Sequence, residues 1–174
     1  MIEPARMVRL VGEAEYRDQA EATLNAPGDA SIVFRVRPRS VVMACPDGCG
    51  ETLVINLDSR TGKAWRFDMR GSGLTLFPSV WREGGCGSHF IVWRGHILWC
   101  DRFERGNREP PYIREMERDV LSAMDAVQPR SAVELADKIE GLVWDVNRVA
   151  TRLVVLGLAR SWKINGALVF LRAS

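Results

Sequence analysis

The sequence predicts an α+β chain built as a small β-rich domain followed by a winged-helix domain. Three observations carry that prediction. Short apolar runs punctuated by Gly, Asp, Ser and Pro fill the chain as far as Cys100, helical periodicity takes over from Ile113, and the polar stretch between them carries Pro110 and Pro111. The boundaries that follow are 1–101 for the first domain, 102–111 for a linker and 112–174 for the second.

In order, Met7 to Val11 reads as a short strand, and Glu15 to Leu24 as a helix stopped by Asn25, Pro27 and Gly28. Ser31 to Cys45 alternates apolar and polar residues, with Pro38 marking an edge strand or a break into two strands. Strand signals recur at Thr52 to Leu57, Ala64 to Arg70 and Leu74 to Phe77. The run HFIVWRGHILWC is two apolar-aromatic arms around Arg94 and Gly95, a tight hairpin. In the second domain Ile113, Met116, Val120, Leu121 and Met124 share one helical face, and Pro129 ends that helix. Ser131 with Glu134 is a capping box opening a second helix through Ile139, and Trp144 to Leu156 is a third helix stopped at Gly157. Asn165 and Gly166 then set a hairpin turn between two strands.

With 174 residues, each domain is near the lower limit for a self-sufficient core, so a staple is expected. The hydrophobic fraction of 47% and charged fraction of 26% exclude a disordered or fibrous chain. A net charge of +2 gives no bulk argument for nucleic acid. No apolar run is long enough to cross a bilayer and the first residues lack a signal-peptide core, so the expectation is a cytoplasmic protein without membrane partners. Thiols there stay reduced, which favours metal ligands over disulfides.

Two thiol-bearing turns stand out. Cys45-Pro-Asp-Gly-Cys49 and Cys86-Gly-Ser-His89 each offer two ligands from a Gly-rich loop, matching the four-ligand closed shell of one structural zinc ion, with iron as the alternative metal. The expected metal ligands are Cys45, Cys49, Cys86 and His89. The competing reading makes the cysteines buried core thiols. Cys100 ends an apolar run and reads as core rather than a substitute ligand, and His96 as exposed. Pairing Cys86 with His89 as a nucleophile and base would leave Cys45 and Cys49 unexplained. No Ser-His-Asp order, phosphate-cradling loop or suggestive carboxylate pair is recognised, so no enzyme is expected. Trp65, Trp81, Trp93 and Trp99 read as core.

In a winged helix the third helix enters the major groove. Asn147, Arg148, Thr151 and Arg152 there, with Lys163 on the hairpin, are the candidate nucleic-acid contacts. Nine Lys or Arg against eight Asp or Glu from residue 112 onward make a weak phosphate-binding surface, and Asp145 opposes it. Winged helices also bind proteins or form homodimers, though no exposed heptad declares a dimer.

The first domain resembles a bacterial family of small zinc-binding proteins marked by a CPxGCG turn, a later LxPS segment and a Cys-x-Ser-His-aromatic turn. Here these are Cys45-Pro-Asp-Gly-Cys49-Gly, Leu76-Phe-Pro78-Ser79 and Cys86-Gly-Ser-His89-Phe90, within about residues 28 to 100. Relatives carry a further thiol where this chain has Asp47, which implies that a cysteine there is dispensable. The resemblance implies a place beside bacterial ubiquitin-like proteins and their conjugating enzymes, in systems suspected of antiviral defence. The expected function is a non-enzymatic zinc-binding adaptor or recognition component, its partner a ubiquitin-like protein or conjugating enzyme. The alternative is a winged-helix DNA-binding transcriptional regulator.

Overall fold

The computed structural model describes residues 3–70 and 73–174. The chain divides into two compact units, Met1–Pro110 and Pro111–Ser174.

The first unit holds two four-stranded sheets. One runs β1-β2-β3-β4, from Arg9–Ala14, Asp29–Arg35, Arg37–Ala44 and Thr52–Asn56. The other runs β5-β6-β7-β8, from Arg66–Asp68, Thr75–Trp81, His89–Trp93 and His96–Trp99. Their inner faces share one core, in which Val41, Met43 and Ile55 from the first sheet meet Leu76, Phe90, Val92 and Trp99 from the second. Period-two alternation along each strand delivers these residues to one side. The outer face of the first sheet is covered by α1, Arg17–Glu21, which buries Ala20 against Val33 and Val42.

α1 is shorter than the helix expected over 15–24. The chain after it is captured by the buried Asp29 carboxylate, which accepts from the amides of Asn25 and Ala26 at 2.9 and 3.0 Å and from Arg9 at 2.6 and 2.9 Å. The expected break near Pro38 falls at Val36, whose φ of 63° turns β2 back into β3. Of the segment 102–111 assigned to a linker, Asn107 is tied to the first unit: its side chain accepts from the Trp99 amide and donates to the Trp99 carbonyl, at 2.9 and 2.8 Å.

The second unit has α2 (Met116–Ala123), β9 (Arg130–Ser131), α3 (Ala132–Ile139), α4 (Val143–Val155), β10 (Ala159–Ile164) and β11 (Ala167–Arg172), with sheet order β10-β11-β9. Val120, Leu135, Val146, Leu153 and Phe170 are buried. Ser131 caps α3, its hydroxyl accepting from the Glu134 amide and the Glu134 carboxylate accepting from the Ser131 amide. Asn165 and Gly166 both have positive φ, 48° and 81°, the conformation a two-residue hairpin turn needs. Three helices and a hairpin follow one another as the sequence suggests.

Candidate active site and candidate metal centre

β6 and β7 pair antiparallel, but the register shifts between Leu76 and Val80. Phe77, Pro78 and Ser79 form the bulge, a feature that re-aims side chains beside functional sites. From Val80 onward pairing resumes, with Val80 opposite Phe90 and Trp81 opposite His89. The Arg82 amide donates to the Ser88 carbonyl at 2.8 Å, so by alternation Trp81 and His89 form a non-hydrogen-bonded pair, whose side chains lie close on the sheet face. Their rings are 5.7 Å apart. Trp81 is 59% exposed. The expectation that Trp81 is core is therefore corrected: it stands on the outward side, flanking His89, while Trp93 and Trp99 are buried.

On the same face, His89 Nε2 lies 3.0 Å from Ser79 Oγ. The other ring nitrogen, Nδ1, is 3.9 Å from Asp101 Oδ2, just past the end of β8. A hydroxyl, an imidazole and a carboxylate thus stand in series, the imidazole between the other two. The side chains are partly open to solvent at His89 and more so at Asp101, 29% and 53% exposed. The Ser79 carbonyl accepts from Trp65 Nε1 at 3.2 Å, which pins the backbone under the hydroxyl.

Beside this series, Cys45, Asp47, Cys49 and Cys86 bring three sulfurs and a carboxylate oxygen within 4.8 Å of one another. Cys45 Sγ and Cys86 Sγ are 3.7 Å apart, and two thiolates on one tetrahedral zinc at ~2.3 Å bonds would be separated by about 3.8 Å. The donor set therefore fits such an ion. Three of the expected ligands, Cys45, Cys49 and Cys86, converge here; the fourth donor in the group is Asp47, and His89 stands outside it, against Ser79. Asp47 is not among the ligands expected from sequence; it stands where relatives carry a further thiol. Its Oδ1 accepts from the Cys49 amide at 2.9 Å, a local turn that aims the carboxylate at the sulfurs.

The four groups of this cluster differ in their electrostatics. Burial pushes the Cys45 and Cys49 thiols up. Burial acts the same way on Cys86 but is outweighed by hydrogen bonds from the Ser88 hydroxyl and amide and from Cys45 and Cys49, leaving that thiol below its ordinary value. For Asp47 too, burial is outweighed by hydrogen bonds from Cys49 and Cys45, and its carboxyl is held below the usual range. Cys100 stands outside the group, its thiol raised by burial and by the nearby Asp101 and Glu104. His96 is half-buried, with its strand position bridged to Met7.

The thiol group and the Ser79 series are mechanically joined. Ser88 Oγ lies 3.1 Å from Cys86 Sγ and 3.5 Å from Cys45 Sγ, and the next residue is His89. Arg102, next to Asp101, donates to the Cys86 carbonyl at 2.5 Å and reaches Asp47 at 3.4 Å. The imidazole thus shares its turn with Cys86, and Arg102, the residue after the carboxylate, ties its own segment to that turn.

The candidate nucleic-acid residues lie in the second unit. Arg148, Thr151 and Arg152 line one side of α4 together with Tyr112 and Val155, around a shallow hollow. The Arg148 guanidinium sits 5.2 Å over the Tyr112 ring, so an aromatic side chain occupies the helix face that was expected to read bases. Asn147 accepts, through its carbonyl, from the Thr151 hydroxyl at 2.8 Å, and Lys163 is exposed on β10.

Residues 16–100 match the model of a family described as BubE, bacterial ubiquitination-like system serine protease. No curated protein and no solved structure matches the chain. The matching family belongs to a bacterial ubiquitination-like system, which supports the association that the resemblance implied. It also corrects the expectation of a protein without catalysis, because the matching family is named for a serine protease. The reason is visible in the chain: the order Ser79, His89, Asp101 is present, but the serine lies in an LxPS segment and the histidine in a Cys-rich turn, which drew it into the metal reading. The LxPS segment and the Cys-x-Ser-His turn, both marks of the resemblance, meet only through the strand register. Among the described residues, no helix is long and apolar enough to cross a membrane.

Proposed function

We propose that the chain is a serine peptidase of a bacterial ubiquitination-like system, cleaving a ubiquitin-like protein or its conjugates, with Ser79 as nucleophile, His89 as general base and Asp101 as orienting carboxylate. The observation that carries this reading is the 3.0 Å approach of His89 Nε2 to Ser79 Oγ, with the Asp101 carboxylate on the far side of the ring. The description of the family that matches residues 16–100 supports it.

In the proposed reaction Ser79 Oγ attacks the scissile carbonyl carbon while His89 Nε2 takes the hydroxyl proton. Collapse of the tetrahedral intermediate breaks the C–N bond, and His89 returns the proton to the leaving amine. Water, deprotonated by the same imidazole, then hydrolyses the Ser79 ester and restores the hydroxyl. Asp101 holds Nδ1 protonated and stabilises the imidazolium; its distance of 3.9 Å shortens as the substrate closes the site, since such contacts tighten on complex formation.

We further propose that Cys45, Asp47, Cys49 and Cys86 hold one zinc ion. With its shell filled by protein ligands, zinc there supplies structural cross-linking and not an activated water. Bound there, it would brace the turn that carries Cys86 and His89.

The test is labelling by a fluorophosphonate probe, which esterifies an activated serine. Labelling of the parent, its absence in Ser79→Ala, and peptide mapping to Ser79 are expected. An unlabelled, folded and zinc-loaded parent protein overturns the reading.

A further inference from the structure

A groove of about 240 Å³ is lined by Thr52 to Ile55 of β4, by Val80, Trp81 and Arg82, which follow Ser79 in the chain, and by Trp65. Both walls are strand edges. The Cys45 amide donates to the Glu51 carbonyl and the Leu57 amide to the Arg39 carbonyl, so odd-numbered residues of β4 face β3. Thr52, Val54 and Asn56 consequently turn their N–H and C=O groups outward. The Asn56 carbonyl is met by the Trp65 amide at 2.9 Å, and no strand among the described residues pairs with this edge. On the opposite wall the same alternation points the N–H and C=O of Trp81 away from β7.

We infer that this groove binds the substrate segment preceding the scissile bond as an extended strand, paired through the main chain to Thr52 and Val54 of β4. The inference rests on the peptidase reading of Ser79. Three features fix the occupant as an extended peptide. Outward-facing backbone donors and acceptors on β4 repeat at the two-residue spacing of a strand, so they match another extended backbone. Val80 of the lining follows Ser79 in the chain, and Trp65 of the lining donates through Nε1 to the Ser79 carbonyl at 3.2 Å, so a chain seated there brings its next carbonyl toward the bulge that carries the hydroxyl. The groove's lining includes the apolar Val54, Val80, Trp65 and Trp81, and the one charged lining residue, Arg82, is engaged by Glu51 at 2.8 Å, which favours small or apolar side chains along the segment. Val54, 43% exposed on an edge strand, is an unpaired edge of the kind that strand addition uses.

The experiment uses peptide aldehydes of one to four Ala and Val residues as competitors of fluorophosphonate labelling at Ser79 in the full chain. Potency rising at least tenfold from one residue to four is expected. N-methylation should cost potency at alternate positions of the tetrapeptide, where an amide meets β4. Val54→Pro, which removes an outward N–H without touching the β3 ladder, should flatten the length dependence, and Val54→Ala, which keeps the N–H, should restore it. Equal potency at all lengths, or indifference to N-methylation in the parent protein, overturns the inference while leaving the labelling of Ser79 intact. Loss of labelling itself points instead to failure of the peptidase reading.

Discussion

His89 approaches Ser79 from the neighbouring strand, Nε2 to Oγ at 3.0 Å, because the bulge in β6 shifts Ser79 out of the pairing register while Trp81 keeps it opposite His89. The pair is therefore a product of strand register and not of sequence proximity. A nucleophile and base related in this way should fail together when either is removed.

Ser79→Ala is expected to reduce cleavage of a ubiquitin-like fusion by roughly 10³-fold or more while leaving the melting temperature close to that of the parent, since a partly exposed hydroxyl does little for the core. Steady-state cleavage and a thermal melt on the same preparation check it.

Asp101→Asn keeps the side-chain shape but donates to the wrong tautomer of His89. A loss in kcat of about 10²- to 10⁴-fold with little change in KM is expected. A proportionate rise in KM with unchanged kcat would place Asp101 in substrate binding instead.

Metal content separates the two roles proposed for the neighbouring turns. His89→Ala should retain zinc, whereas Asp47→Ala and Cys45→Ser should lose it after dialysis against a chelator, and Cys45→Ser should also lose folding stability. Elemental analysis per chain reads the outcome. A His89→Ala protein without metal, beside an Asp47→Ala protein that keeps it, would restore the histidine as ligand.

Asp29 offers a pH-dependent test of the fold. Its carboxyl is hydrogen-bonded by Arg9, which acts with the amides of Asn25 and Ala26 against the opposing effect of burial, and the folded-state pKa is lowered. A carboxylate with a lowered folded pKa stabilises above its unfolded value of about 3.9 and loses that contribution as pH falls through the folded value. Asp29→Asn should cost about 1–3 kcal/mol at pH 7, with a smaller difference from the parent in strong acid. Denaturant titrations at both pH values measure this.

Much of the architecture was legible without coordinates. Strand alternation, the capping box at Ser131 and the Asn165-Gly166 turn are local signals, decided within a few residues by backbone preference and the side-chain period. The Gly-rich turns likewise announced that Cys45, Cys49 and Cys86 would gather. From the sequence alone His89 is expected on the metal with Cys45, Cys49 and Cys86, and the structure sets its Nε2 against Ser79. Cys86, three residues before His89, joins the thiol group, whereas the bulge between Leu76 and Val80 on the facing strand brings Ser79 to the histidine ring. Asp47 took the place in the thiol group because a backbone turn at Cys49 aims its carboxylate inward. Trp81 is exposed because its register places it outside, although its composition resembles that of the buried Trp93 and Trp99. Local preferences determined the elements of this protein; the pairing register, which sums interactions over residues far apart in the chain, decided which side chains meet.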